Sequence, residues 1–364
     1  MIRMGMIGCG NMARSFLSGI DQLSDRLSFT VMVDTDPKRA RDAADSFSDA
    51  RPETDYRVIM GEVDAVIIAL PHDLHHQVTL DFLEAGKHVL LEKPMAMTER
   101  ECIDLVEADD VCDQVLLIGY VMRFNPLWTK LGEFLRDQTF GEPFQVSIWT
   151  EQFTDRYRAW GGNAEKLGGG QLFSHGCHYI DLMLHWMGRP VEGSHLGTNY
   201  GTPWMEREGT SNVAIKFESD ALGYHFGTWG ARGSRHGYAV HAHCTGGMLE
   251  LDHRAGKIWL HRDSGGGDLP ALESLSLGND QKDDSARHLL YETQEEGKAT
   301  NREVSHFLDC IEEGRQPETN ARMATQSLRV IRRLYNAERE QKVADLRGLG
   351  LDQFTSDLVI DEGK

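Results

Sequence analysis

Mostly apolar runs of four to eight residues alternate with amphipathic stretches through the first third of the chain. The runs are Ile2 to Ile7, Phe29 to Val33, Val63 to Leu70, His88 to Leu91 and Val115 to Gly119, and their length and composition predict buried strands. A helix-compatible segment with Phe16, Leu17 and Ile20 follows the first run, and Asp73 to Ala85 reads as a helix closed by Gly86. Thr98-x-x-Glu101 is a capping box that opens another helix. Strands and helices trading places in this way predict a parallel, doubly wound sheet, whose ligands lie beyond the carboxyl ends of the strands.

The pattern changes after Pro126. Leu127, Leu131, Phe134 and Leu135 keep helical spacing, Gly141-Glu142-Pro143 marks a turn, and Phe144 to Trp149 alternates as a half-buried strand. Ser211 to Phe217, Ala221 to Gly230, Tyr238 to Thr245, Met248 to Leu251 and Lys257 to His261 read as further strands. Asp263 to Thr300 is acidic, polar and Gly-containing, which predicts a long connection with little buried apolar surface. Val304, Phe307, Leu308 and Ile311 then mark a helix ended by Gly314, and Ala324 to Glu340 a second one.

Composition narrows the classes. A chain of 364 residues, 40% hydrophobic and 26% charged, is long enough for two domains with real cores. The formal net charge of -19 repels phosphate backbones and anionic membranes, so nucleic acid is not an expected partner. No apolar run approaches the roughly 20 residues that span a bilayer, and no leader pattern precedes the first strand, so a cytoplasmic location is expected. Cys9, Cys102, Cys112, Cys177, Cys244 and Cys310 are scattered without a C-x-x-C pair, which suggests reduced, structural thiols.

The first candidate site is Gly8-Cys9-Gly10-Asn11-Met12-Ala13, a G-x-G-x-x-A between strand and helix. That spacing suits a tight turn at Gly8, approach of a pyrophosphate at Gly10 and close helix packing at Ala13, with phosphate on the helix N-terminus. Asp34 ends the second strand, 24 residues after Gly10, where a carboxylate accepts hydrogen bonds from the adenosine ribose. It would repel a 2′-phosphate, so NAD is expected over NADP. The sheet edge also receives Pro71, His72, His75, Glu92, Lys93 and Pro94. A second candidate runs from Gly168 to Asp181, where His175, His178 and Asp181 follow three glycines at three-residue spacing. Alone it suits a metal site, a general base with its orienting partner, or a polar helix edge.

Five motifs in order then carry a resemblance. They are Gly8 to Ala13, Ala69-Leu70-Pro71-His72-Asp73-Leu74-His75, Glu92-Lys93-Pro94, Gly119-Tyr120-Val121-Met122-Arg123-Phe124-Asn125-Pro126, and Gly168 to Asp181. Over nearly its whole length the chain resembles the glucose-fructose oxidoreductase and inositol dehydrogenase (Gfo/Idh/MocA) family. The resemblance implies a Rossmann domain over residues 1–121. Residues 122–364 would form an α/β substrate and oligomerisation domain with a large, open, mostly antiparallel sheet, its last helices packing back toward the first domain. It implies an NAD-dependent oxidation of a secondary hydroxyl on a sugar, anhydrosugar, glycoside or cyclitol, in a homodimer or homotetramer. An NAD-retaining, redox-neutral cleavage of glycosides and a metal-dependent hydrolase built on His175, His178 and Asp181 are the alternatives.

Residue by residue, Lys93 matches the family lysine that polarises the reacting oxygen, and His178 the histidine that accepts the hydroxyl proton. Leu70, His75, Glu92 and Arg123 fall beside the cofactor, the resemblance also implies a cis bond before Pro94, and Arg123 reads equally as an ion pair between the domains. Phe153, Arg156, Tyr157 and Trp160 form an aromatic and basic stretch suited to a sugar, and Tyr157 and Trp160 are taken as substrate contacts. Ser174 occupies the usual aspartate position one turn before His178, which it could only hydrogen-bond. His175 would take over part of that role or touch substrate. Trp229, Arg232 and His236 lie near a turn that could reach the pocket.

Overall fold

The computed structural model describes residues 1–154, 160–262, 287–295 and 297–356. Arg156 and Tyr157 lie outside the described residues, as does most of the expected connection after Asp263.

The first sheet has six strands in the order β3-β2-β1-β4-β5-β6, all parallel. They are β1 (Ile2–Ile7), β2 (Leu27–Val33), β3 (Arg51–Glu53), β4 (Ala65–Ile68), β5 (His88–Glu92) and β6 (Leu116–Gly119). All four residues of β4 are buried, as expected of a strand covered on both faces. The connecting helices are α1 (Asn11–Leu17), α2 (Pro37–Ala44), α3 (His75–Glu84) and α4 (Glu99–Val111). Local chemistry fixes the starts of α2 and α4. Asp36 accepts from the Lys38 amide at 2.9 Å with Pro37 behind it, and Thr98 and Glu101 close the expected capping box.

The second sheet has nine strands in the order β14-β13-β12-β11-β7-β10-β9-β8-β15. Its strands are β7 (Pro143–Glu151), β8 (Pro190–Thr198), β9 (Thr210–Phe217), β10 (Leu222–Thr228), β11 (Tyr238–Cys244), β12 (Gly247–Asp252), β13 (Lys257–His261), β14 (Arg287–Glu292) and β15 (Ala344–Asp345). Every pairing is antiparallel except β7 with β10. One correction concerns β14, which lies inside the stretch expected to be a connection. The chain returns to the sheet there and pairs with β13, although only Leu289, Leu290 and Tyr291 mark it in the sequence.

Helices α5 (Pro126–Arg136), α6 (Ala164–Leu167) and α7 (Cys177–Met187) follow β6 and β7, and α8 (Thr300–Glu313) and α9 (Ala321–Arg339) come near the end. Val146, Ile148, Val213, Ile215, Val240, Leu249 and Leu251 join α5, α7 and α9 in one buried cluster. Phe144 and Leu222 are more than half exposed elsewhere on the sheet. Helix α8 belongs to the first sheet's core, where Val304, Phe307 and Leu308 cluster with Met4, Phe16 and Phe29. Thr300 donates to the Ser15 carbonyl at 2.7 Å, and Arg26 pairs with Asp309 and Glu312. Helix α9 packs on α4 and carries the fully buried Arg329, which ion-pairs with Glu99. No helix among the described residues is long and apolar enough to cross a membrane.

Candidate active site

The turn after β1 leaves room on its outer side. Gly8 has φ +91°, and a Cβ there would lie 2.5 Å from the Ala69 carbonyl oxygen, so only glycine fits. A Cβ at Gly10 would meet nothing within 4 Å, and no side chain caps the start of α1. Gly10 is therefore not required by packing within the chain, and the uncapped amides suit a pyrophosphate. Asp34 fixes this turn from the next strand, accepting from the amides of Cys9 and Asp36, each at 2.9 Å. Its carboxylate stays partly exposed beside the turn. These features fit a dinucleotide.

The exits of β4 and β5 make the other half. Leu70 and Pro71 are partly exposed, and the 3-10 turn His72–Leu74 leads into α3. His75 is fully buried and contacts the carbonyl oxygens of Pro94 and Leu70 at 2.8 and 3.0 Å. This corrects its expected place at the cofactor: both ring nitrogens face backbone, so it braces the two loops. His72 is buried as well, with Nδ1 2.9 Å from the Leu167 carbonyl oxygen and its ring edge-on to Trp160 at 4.9 Å. Burial holds both imidazoles below their ordinary pKa. Glu92 is buried, and the Lys93–Pro94 bond is cis as the resemblance implied. The Lys93 ammonium donates to the Ser174 carbonyl oxygen at 3.0 Å, joining the strand exit to the second candidate stretch.

That stretch is built differently from a simple helix edge. Leu172–Gly176 is a turn of π-helix running into α7, the wide geometry that often marks functional sites. The three glycines before it answer to packing. A Cβ on Gly169 would lie 2.4 Å from Phe173, and one on Gly170 2.2 Å from Glu208.

His178 is 6% exposed, with its ring edge-on to Tyr120 at 5.8 Å. Burial first, then the Lys93 charge, holds its pKa well below the ordinary imidazole value, so it is neutral at neutral pH. Its Nδ1 has no hydrogen-bond partner among the described residues. Ser174 thus does not orient it, and neither does His175, whose ring stands 6.3 Å away at 86°. His175 instead accepts from Gln171 Nε2 at 3.2 Å and meets the Tyr238 hydroxyl at 3.3 Å.

Asp181 turns away from both imidazoles. It forms a two-pronged ion pair with Arg123 at 2.6 and 3.1 Å, the side chains 1% and 3% exposed. Arg123 is therefore an interior ion pair rather than a ligand contact, and the metal reading lacks its carboxylate. Among the described residues no group of three His, Cys, Asp or Glu side chains is placed to hold a metal.

Two residues near the site went unremarked in the sequence. Lys298 rests its ammonium 2.8 Å from the Met12 sulfur, and its charge reaches Glu92, Glu303, His175 and His178. Glu303, in the first turn of α8, is completely buried, and neither carboxyl oxygen has a hydrogen-bond partner among the described residues.

A six-stranded parallel sheet with an open Gly-rich turn, joined to a second sheet whose helix brings imidazoles to the same edge, is a dinucleotide-binding Rossmann architecture with a second sheet beside it. The chain belongs to the Gfo/Idh/MocA family: residues 2–120 match its oxidoreductase, NAD-binding Rossmann-fold model and residues 128–250 its C-terminal domain model. An inositol 2-dehydrogenase of Acidothermus cellulolyticus is 31% identical over 150 residues, 40% of this chain and 44% of that protein. The 1-carboxy-3-chloro-3,4-dihydroxycyclohexa-1,5-diene dehydrogenase of Comamonas testosteroni is 29% identical over 230 residues, 60% of this chain and 55% of that one. The chain spans about half the length of the curated relatives it matches. In fold it is similar to a levoglucosan dehydrogenase in complex with NADH, at TM-score 0.82 and 18% identity over 95% of this chain and 99% of the other. An aldose-aldose oxidoreductase from Caulobacter crescentus complexed with glycerol gives 0.79 and 20% over 95% and 99%.

Proposed function

We propose that the protein oxidises a secondary hydroxyl of a sugar, anhydrosugar, glycoside or cyclitol. The observation that carries this reading is the Lys93 contact to the Ser174 carbonyl at 3.0 Å. It holds an ammonium from the strand exit against the turn that leads to His178. His178, neutral at neutral pH, accepts the hydroxyl proton while the ammonium polarises the same oxygen. Bound NAD⁺ supplies the hydride acceptor at nicotinamide C4. Asp34 receives the adenosine ribose and disfavours a 2′-phosphate, and Gly8 to Met12 hold the pyrophosphate with Leu70 and Pro71 beside them. Trp160 and His175 contact the substrate. The names of the relatives and neighbours support the substrate class.

The division near residue 121 is supported by the two family matches, which leave 121–127 between them. Exposed Phe144 and Leu222 on the large sheet support self-association, and light scattering would give the mass. Mass spectrometry of the released cofactor, then a screen for NADH formation over cyclitols, aldoses, anhydrosugars and glycosides, tests the function. Release of sugar from glycosides without added NAD or net NADH would favour the redox-neutral alternative. If Lys93→Met and His178→Ala both leave turnover intact on a verified substrate, the proposed roles are wrong.

A further inference from the structure

Glu303 has a burial problem that the chain itself does not solve. The residue is 0% exposed, in the first turn of α8, and neither oxygen has a hydrogen-bond partner among the described residues. An ionised carboxylate in that position costs several kcal/mol unless a counter-charge reaches it. The charged groups that act on it are Glu92 at the end of β5, Lys93 just beyond, and Lys298 before α8. Burial and the Glu92 charge outweigh the two ammonium groups and push the Glu303 carboxyl well above its ordinary pKa. Glu92 is displaced in the same direction, by burial. The end of β5 and the start of α8 thus bring together two buried acids and two cations.

The sheet order says what belongs beside them. Asp34 ends β2 and the Gly-rich turn ends β1, and β4 and β5 follow on the other side. A dinucleotide with its adenosine ribose at Asp34 and its pyrophosphate at α1 therefore directs its remaining half across the exits of β4 and β5. That half is the nicotinamide, and α8, which carries Glu303, packs against β5, whose last residue is Glu92 and which leads into Lys93. The ring is cationic in NAD⁺ and neutral in NADH. In a poorly hydrated pocket that difference acts strongly on a nearby carboxyl.

We propose that Glu303 is the counter-charge to the oxidised nicotinamide, so that binding NAD⁺ releases a proton from this carboxyl while binding NADH does not. The proton goes from the carboxylic acid to the buffer, and no electron moves. Glu303 then makes the preference between the two cofactor forms depend on pH. On the acid side of its value in the free protein, the affinity for NAD⁺ relative to NADH rises about tenfold per pH unit, and it levels off above.

Titration calorimetry in two buffers of unlike ionisation enthalpy counts the protons released by NAD⁺, NADH and ADP-ribose, the last lacking the nicotinamide. The native protein is expected to release about one proton with NAD⁺ and close to none with the other two. Glu303→Gln keeps the shape, binds ADP-ribose as before, and releases none with NAD⁺. Equal release by NAD⁺ and NADH in the native protein, or undiminished release in Glu303→Gln, overturns the proposal. If the variant fails to bind ADP-ribose its fold is damaged, and the native protein decides alone: an NAD⁺ to NADH affinity ratio flat across the acid range refutes the idea. A native protein that binds no dinucleotide would overturn the cofactor reading as well, whereas NAD⁺ binding without a proton overturns only the role of Glu303.

Discussion

Replacing Arg123 by methionine should cost the fold far more than it costs the cofactor. The guanidinium meets both oxygens of Asp181, at 2.6 and 3.1 Å, from a turn just after β6, and the side chains are 3% and 1% exposed. Ser327 of α9 lies 3.5 Å from one of those oxygens, the only other hydrogen bond described for the carboxylate. Removing the arginine leaves a buried charge without its partner, a loss of about 3–5 kcal/mol. For cooperative unfolding of a chain of 364 residues this is roughly 4–7 °C in Tm. The double variant Arg123→Met with Asp181→Leu removes both charges and should recover most of the loss, because an ion pair this deep gains little over well-packed apolar groups. Chemical denaturation of the native protein, both single variants and the double variant measures the coupling, and calorimetric NAD⁺ titration checks the site. If Arg123→Met stays within about 1 kcal/mol of the native protein while its NAD⁺ affinity collapses, the ion-pair assignment is wrong and Arg123 belongs to the ligand.

Asp34→Ala removes a charged acceptor from the expected ribose position and should weaken NAD⁺ binding by roughly 10- to 100-fold while narrowing the preference over NADP⁺, as equilibrium titrations with both cofactors would show. Asp109, 7% exposed on α4 with one oxygen unpartnered, has its carboxyl pushed up to about 7 by burial. Its folded value exceeds the unfolded one, so its contribution is full at low pH and lost as pH rises through about 7. Asp109→Asn should therefore be more stable than the native chain at alkaline pH, by up to about 4 kcal/mol, with the gap closing toward acid pH; a constant gap in pH-resolved melts would refute this. Ser174→Asp places a carboxylate one turn before His178 and should raise that imidazole's pKa. The acid limb of the kcat/KM profile would then move to higher pH, and an unmoved limb would mean that the new carboxylate does not reach the ring.

The first sheet was legible because its strands are buried on both faces and therefore read as apolar runs, bounded by turn and cap residues that act locally. The second sheet was legible as strands and not as an order. Its parallel pairing of β7 with β10 and the return of β14 to the edge are contacts between distant parts of the chain. At the site, Gly8, Asp34 and Lys93 lie just past the carboxyl ends of β1, β2 and β5, and Lys93 reaches the turn that leads to His178. His75 and Arg123 did not take the expected parts, because a sequence does not distinguish a polar group facing a ligand from one facing backbone or a buried partner. Glu303 did leave a signal: it stands four residues before Phe307, on the buried side of α8, where the helical period calls for an apolar residue.

These corrections bear on the departure at Ser174. Three side chains at the exits of β4 and β5 are held by main-chain carbonyls: Lys93 by Ser174, His72 by Leu167, and His75 by Pro94 and Leu70. A carbonyl is present whatever side chain its residue carries, so the placement of Lys93 does not depend on an aspartate at position 174. What the missing carboxylate changes is His178 alone. An Nδ1–H in that buried position has no acceptor among the described residues, whereas an aspartate would supply one and favour the proton on Nδ1. Neither tautomer of His178 finds a partner for Nδ1 among the described residues. Under the proposed function, a substrate hydroxyl donating to Nδ1 would give that nitrogen the partner that the described residues do not supply.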